Sequence, residues 1–334
     1  MTDRATMKAV TFQGYGPPET LAIRDVPLPM PGVGEVRVQV HASTVTRTDT
    51  ATMRGHPFFA RAATGFCRPK MPTPGIDFAG IIDALGAGVT GFAPGDRVFG
   101  LSPDSYGTHA EHLCLRADAA IAPVPAGLRF DQAVVGEGAW YAHGTTSQLD
   151  PGQRCLIYGA SGGIGTAAVQ LAKLRGAEVT AVVGARHLDL AAQLGADRVV
   201  NYEAEDFTAL GQTFDLVFDA VGKTSWFACR PLLTPDAIFA ATDLGPGWSN
   251  VLLGAWFARS ARPRVQIPFP KDASGFVRSL GGLLAEGRFR GVFDRRYPFD
   301  DVVEAFRYVE TGQKTGIVGL TVRPEEATGG DGAG

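Results

Sequence analysis

The chain of 334 residues is 45% hydrophobic and 19% charged, enough apolar material for a large core and enough length for two domains of ~100–200 residues each. Its net charge of −3 gives no electrostatic reason to expect nucleic acid or an anionic membrane as a partner. The four cysteines, Cys67, Cys114, Cys155 and Cys229, lie too far apart for a disulfide framework or a cysteine-rich metal site, and they suit a reducing, cytoplasmic setting.

The opening "MTDRATMKAVTF" has no apolar run, so no secretory signal is expected. Over the first ~125 residues the texture is that of short strands. Val36, Val38 and Val40 alternate with Arg37, Gln39 and His41, the period of a half-buried strand. Turn clusters such as "PMPGVGE", "LGAGVTGFAPGDRVFG" and "PVPAGL" punctuate the segment and point to a small barrel. The stretch from Gly55 to Pro72 departs from this texture. It sets Phe58, Phe59 and Phe66 among Arg61, Arg68 and Lys70 without clear periodicity. It reads either as a long surface loop with buried anchors or as a lid over an apolar substrate.

From about Phe130 strands and helices alternate. "CLIYGAS", "EVTAVVG", "RVVNY", "FDLVFDAVG" and "AIFAATD" are short β-rich runs, and "TAAVQLAKLRG" and "HLDLAAQLGA" between them carry helical spacing. This is the pattern of βαβ units on a parallel sheet. "RVQIPFP" predicts a further strand, "GFVRSLGGLLAEG" a helix, and the segment beginning at Arg295 a last helix and a closing strand. The glycine-rich end, residues 326–334, reads as a disordered tail.

The turn after Tyr158 fits two dinucleotide fingerprints. From Ala160 it is A-x-G-x-x-G, a Rossmann turn with its first glycine replaced; from Gly159 it is the G-x-x-x-G-x-G of short-chain dehydrogenases. The short-chain reading needs Y-x-x-x-K downstream, and Tyr202, Tyr297 and Tyr308 lead instead to Asp206, Asp301 and Gly312. The Rossmann reading therefore stands. Gly162 allows the pyrophosphate to approach, Gly165 allows helix and strand to pack closely, and the helix from about Ile164 aims its positive end at the phosphates. Ala160 can replace glycine if φ stays negative there. The next strand ends in Gly184, Ala185 and Arg186, where an NAD site would carry an acid for the ribose 2′-hydroxyl. Gly184 leaves room without a repelling carboxylate, and Arg186 can pair with a 2′-phosphate for ~1.5–3 kcal/mol. The expected cofactor is NADPH.

With "MKAVTFQGYGPPETL", "GVTGFAPGDRVFG", "AWYAHGTTSQLDPGQRCLIYGASGGIGTAAVQLAK", "LGADRVVNYEAEDFT", "FDLVFDAVG" and "YVETGQKTG" in place, the chain resembles the medium-chain dehydrogenase/reductase superfamily. It is most similar to the zinc-free quinone oxidoreductase and enoyl reductase branch. The resemblance implies an α/β fold in which a GroES-like β-barrel catalytic domain, residues 1–127 and 271–325, is split around an inserted six-stranded Rossmann domain, residues 128–270. It implies a homodimer through "RVQIPF". It also implies cofactor contacts at Ala160, Ser161, Gly162, Gly163, Ile164, Gly184, Arg186, Tyr202, Val221 and Leu244, with Tyr202 bordering the adenosine phosphate.

Zinc alcohol dehydrogenases of the superfamily place their ligands at positions that fall here on Thr46, on Ile76 and Asp77, and near Val134. Thr, Ile and Val cannot replace thiolate and imidazole, so no metal is expected. Hydride transfer to a quinone or an α,β-unsaturated carbonyl then leaves an anion that needs hydrogen-bond donors. The resemblance places Thr46 and Thr48 near the nicotinamide. Asp49 reads either as a site residue or as a cap on the next short helix. His143 reads as a packed helix histidine or as a proton donor. Gly138 stands where relatives carry Thr, which predicts a larger or wetter corner. The substrate is expected to be a small apolar or aromatic molecule. The alternatives are an enoyl or keto reductase dedicated to a bulky apolar substrate, a thioester included, and an NADPH-binding module without turnover.

Overall fold

The computed structural model describes residues 5–245, 248–257, 264–268 and 270–325; the tail expected at 326–334 lies outside them. Seven strands come first: β1 (Thr6–Thr11), β2 (Ala22–Pro27), β3 (Glu35–Val45), β4 (Asp77–Leu85), β5 (Arg97–Leu101), β6 (His112–Arg116) and β7 (Ile121–Pro123). Six follow: β8 (Arg154–Tyr158), β9 (Glu178–Val183), β10 (Arg198–Asn201), β11 (Phe214–Asp219), β12 (Leu233–Ala241) and β13 (Arg264–Gln266). β14 (Phe293–Pro298) and β15 (Ile317–Thr321) close the chain.

The chain divides into two units, one of Met1–Gly136, Val277–Glu286 and Phe293–Gly334 and the other of Glu137–Phe276 and Gly287–Val292. In the first, seven strands form a sheet in the order β14-β15-β3-β4-β5-β7, with β6 pairing β3, and β1 and β2 form a separate antiparallel pair. The valine alternation is visible in β3, where Val36, Val38 and Val40 are buried while Arg37 and Gln39 are half-buried. Beyond Val40 the alternation stops, because His41 to Val45 are all buried. One core gathers Val36, Val38, Phe78, Ile82 and Val98; another gathers Phe12, Met53, Phe306 and Val318. The stretch from Gly55 to Pro72 is more ordered than its sequence pattern suggests. It holds a 3-10 turn at Phe58–Ala60 and a short helix at Arg61–Thr64.

The second unit carries six parallel strands in the order β10-β9-β8-β11-β12-β13. Numbered within this sheet the order is 3-2-1-4-5-6, that of the dinucleotide-binding doubly wound fold. Leu156, Val182, Val200, Phe214, Val217 and Phe239 fill its core. The inner stretches of β8, β9, β11 and β12 are buried, as expected of strands in a parallel sheet, while β10 and β13 at the edges are more exposed. The order reverses between β8 and β11, which opens a crevice beyond the carboxyl ends of the strands, where such folds bind ligands.

The helix Gly163–Leu174 follows β8 directly. A Cβ on Gly165 would lie 2.1 Å from the carbonyl oxygen of Gly159 and 2.7 Å from Ala160 Cα. Both atoms are backbone, so neither can move aside alone. Among the described residues no helix is long and apolar enough to cross a membrane. The packing leads to a stability test. Gly165→Val should lower stability by ~1–3 kcal/mol through overpacking, measured as the urea midpoint of the purified chain; an unchanged midpoint would show that the helix packs elsewhere.

Candidate active site

The glycine turn is built by hydrogen bonds that leave one face open. Gly159 and Ala160 both donate to Val182 O, at 3.0 and 3.3 Å, which ties the end of β8 to β9. Gly162 N then donates to Gly159 O at 3.1 Å, closing the turn. The positive φ falls at Gly159, +76°, which is why alanine is tolerated one position later. Ala160 is fully buried and shapes the turn from inside, whereas Ser161, Gly162, Gly163 and Ile164 are half-buried along its open face.

Gly162 caps the helix with φ −81°, a conformation open to any residue. A Cβ there would meet only Gly159 O at 3.6 Å and Val221 Cγ1 at 4.0 Å, ordinary contacts. The chain itself has no need of glycine at this position. An approaching pyrophosphate does, since it must reach the free N–H groups of a helix N-terminus. The turn therefore fits a dinucleotide.

The other expected contacts all lie just past the carboxyl ends of the parallel strands. Val221 follows β11, and its methyl groups sit where a Cβ on Gly159 would be, 2.6 Å from that position. It is held there by Asp219, which the sequence reading did not single out. The buried Asp219 carboxylate accepts from the N–H groups of Val221, Gly222 and Thr224 at 3.1, 2.8 and 2.7 Å. Burial raises its pKa against these bonds. The readable signal was an aspartate at a strand end before A-V-G, the composition of an Asx turn. Leu244 follows β12, half-buried, and its carbonyl accepts from Asn250 N at 3.0 Å.

Gly184 ends β9 and Arg186 lies exposed in the 3-10 turn Ala185–His187. Tyr202 follows β10, half-exposed, with its hydroxyl 3.1 Å from where a Cβ on Gly184 would lie. Gly184 does not leave this corner free of carboxylate, however. Glu203, one residue past Tyr202, brings Oε1 to 2.7 Å from the same position.

Gly138 gives a different result from the one expected. A Cβ on it would lie 2.9 Å from Gly163 O and 3.0 Å from Gly163 C. The missing threonine does not open a corner; it lets the helix Gly136–Thr146 close onto the glycine turn. His143, on that helix, stacks on Phe276 with ring centres 5.2 Å apart. Burial first, and Arg175 second, hold its pKa below the ordinary histidine value. An imidazole packed at a tilt against a phenyl ring fits the packed reading better than a proton donor.

In the first unit, "VTRTD" opens the helix Arg47–Arg54 with a capping box. Thr46 Oγ1 accepts from Asp49 N at 3.2 Å and donates to Asp49 Oδ2 at 2.8 Å, the atom that also accepts from Thr46 N at 2.8 Å. Asp49 Oδ1 accepts from Gly75 N at 2.8 Å. The carboxylate is 0% exposed and fully used in joining the helix start to residue 75, so it caps the helix. Thr46 spends its proton on Asp49. Among the described residues the Thr48 side chain makes no hydrogen bond, and its half-buried hydroxyl is the one left in the motif that Asp49 does not take up.

Of the positions compared with zinc ligands, Ile76 and Val134 are buried apolar side chains and Asp77 accepts from Thr44 Oγ1 at 2.6 Å. That donor set does not fit a catalytic zinc.

The loop beyond this helix presents Phe58 and Phe66, 58% and 64% exposed, with ring centres 5.6 Å apart. Arg61 fastens it by donating to Gly55 O at 3.0 Å while lying over Phe58 and Tyr15.

Burial pushes the Asp49 carboxyl from an ordinary 3.8 up to about 6, against the bonds from Thr46 and Gly75. A raised folded value means that its contribution is present below the ordinary value and lost as pH rises through about 6. Asp49→Ala should cost ~2–4 kcal/mol at pH 5 by stranding buried donors and should flatten this slope between pH 4 and 7. Urea unfolding across that range measures both effects; parallel profiles would remove the raised pKa, and an unchanged midpoint at pH 5 would remove the stabilising role of the cap.

Known proteins resemble the chain over nearly its whole length. Residues 32–169 match the family model of the alcohol dehydrogenase GroES-like domain, and residues 194–318 match that of the zinc-binding dehydrogenases. A chloroplastic quinone-oxidoreductase homolog of Spinacia oleracea is 30% identical over 332 residues, covering 93% of this chain and 97% of its own. A trans-enoyl reductase of Aspergillus terreus is 30% identical over 350 residues, covering 94% and 96%. The solved quinone oxidoreductase of Coxiella burnetii superposes with a TM-score of 0.85 at 28% identity, covering 96% of this chain and all 100% of that one. The chain belongs to the medium-chain dehydrogenase/reductase superfamily, as an oxidoreductase with a GroES-like domain and a Rossmann-type site for a nicotinamide cofactor.

Proposed function

We propose that this chain is a zinc-independent reductase that uses NADPH to reduce a quinone or an α,β-unsaturated carbonyl with an apolar or aromatic body. The observation that carries the reading is an intact dinucleotide turn in a chain with Thr46, Ile76 and Val134 at the ligand positions. The relatives named as quinone oxidoreductase and enoyl reductase support it. Exposed Arg186 supports NADPH, since a guanidinium pairs with a 2′-phosphate through two hydrogen bonds. Exposed Phe58 and Phe66, on the loop that continues from the Thr48 helix, support an apolar acceptor.

A bound reduced nicotinamide supplies the hydride. Passed to the β-carbon of an enone or to a quinone, it would leave negative charge on the acceptor oxygen. The Thr48 hydroxyl is the donor we assign to that oxygen, and water would supply the proton. No step calls for a Lewis acid, because the acceptor is already electron-poor.

A second copy is part of the same proposal. Leu252 and Trp256, 66% and 75% exposed, lie on the helix Ser249–Phe257 beside the edge strand β13. Sedimentation equilibrium should give two chains per particle, and a single chain at micromolar concentration would remove this element.

The central test follows NADPH oxidation with an ortho-quinone, a simple enone and an enoyl thioester. Turnover with the first two, faster with NADPH than with NADH, is the expected result. Thr48→Val should then lower kcat/KM about 10- to 100-fold at unchanged NADPH affinity. Turnover of the thioester alone would favour a dedicated enoyl reductase. Tight NADPH binding with no turnover would favour a binding module.

A further inference from the structure

Gly184 poses a question that its own backbone does not answer. With φ −78° and ψ 163° it adopts a conformation open to any residue. The volume its side chain would fill is taken by Glu203 Oε1 at 2.7 Å and Tyr202 Oη at 3.1 Å from the Cβ position. Glu203 Oε2 also accepts from Ala185 N at 3.4 Å, so the carboxylate faces the opening N–H of the 3-10 turn Ala185–His187. Its root is fixed, because Glu203 N donates to Asn201 Oδ1 at 3.0 Å and Tyr202 N donates to Val183 O at 3.1 Å.

In the doubly wound fold the end of the second strand meets the adenosine ribose, and an acid there accepts from a 2′-hydroxyl and repels a 2′-phosphate. Here the second strand of the sheet, β9, is followed directly by Gly184, while the turn after the third, β10, brings the Glu203 carboxylate to the same spot. We infer that Glu203 supplies from β10 the carboxylate that Gly184 lacks, and that it sets how strongly this chain distinguishes NADPH from NADH. The inference rests on the nucleotide reading above. Arg186 favours the 2′-phosphate, Glu203 opposes it and offers an acceptor to a 2′-hydroxyl, and selectivity is the difference between them. The net preference is for NADPH but narrower than Arg186 alone would produce.

The test measures binding without any acceptor. Calorimetric Kd values for NADPH, NADH, 2′,5′-ADP and 5′-AMP are compared between wild type, Glu203→Gln and Glu203→Ala; the side chain is exposed, so both variants should fold. In Glu203→Gln the ratio of the NADH to the NADPH Kd should rise at least about fivefold, as loss of one nearby like charge predicts. The 5′-AMP to 2′,5′-ADP ratio should rise with it, and Glu203→Ala should move both ratios the same way. A smaller change in Glu203→Gln, or a change confined to the intact dinucleotides, would overturn the assignment. A wild type that binds none of the four would instead remove the nucleotide reading itself.

Discussion

Everything around the cofactor turn depends on one carbonyl oxygen, that of Gly159. It accepts from Gly162 N at 3.1 Å and stands 2.1 Å from where Gly165 would carry a Cβ. From the other side Gly138 closes on Gly163 O, where a side chain would come within 2.9 Å. The turn is thus clamped between two helices at positions without side chains. Close packing on backbone cannot relax by a rotamer change, so it fixes the direction of the helix N-terminus to which a pyrophosphate would bind. Gly162 is the exception that makes the clamp useful, since a Cβ there would meet its neighbours only at ordinary contact distances.

Two buried aspartates solve the same problem at other turns. Asp219 gathers three N–H groups of residues 221–224, and Asp49 gathers two backbone N–H groups and a hydroxyl from Thr46 and Gly75. A carboxylate is suited to this because its oxygens together accept several bonds, whereas an amide oxygen accepts fewer. Burying each is costly, and in both cases desolvation raises the pKa. The cost is offset by turns that hold Val221 against the cofactor loop and Thr48 at the head of its helix. Neither aspartate needs to touch a ligand to matter.

How much of this was legible in the sequence follows from the range of the forces. β8 to β12 and the intervening helices are continuous apolar runs or 3.6-residue patterns, written into local composition. β14 is not, since "FDRRYP" lies at a sheet edge with Arg295 and Arg296 exposed and so never shows apolar alternation. In the site, the positions that need glycine for local geometry were readable. Gly138 reads locally as a lost hydroxyl, whereas its reason is a contact with Gly163, 25 positions away. The five letters around Asp49 admit two roles, and the choice rests on Gly75, which no local pattern contains.

The same limit governs the cofactor corner. A fingerprint reads selectivity from the residue that ends the second strand, because that side chain usually points at the ribose. Space at the ribose is shared by neighbouring parallel strands about 4.8 Å apart, so a longer side chain one strand over can reach it. Glu203 has two more rotatable carbons than an alanine at its position would offer, and it spends them crossing from β10 to Gly184. A glycine at the fingerprint position therefore reports only that the local chain withholds a carboxylate. Whether a carboxylate stands there is decided past the next strand, and in this chain Glu203 Oε1 lies 2.7 Å from the Gly184 Cβ position.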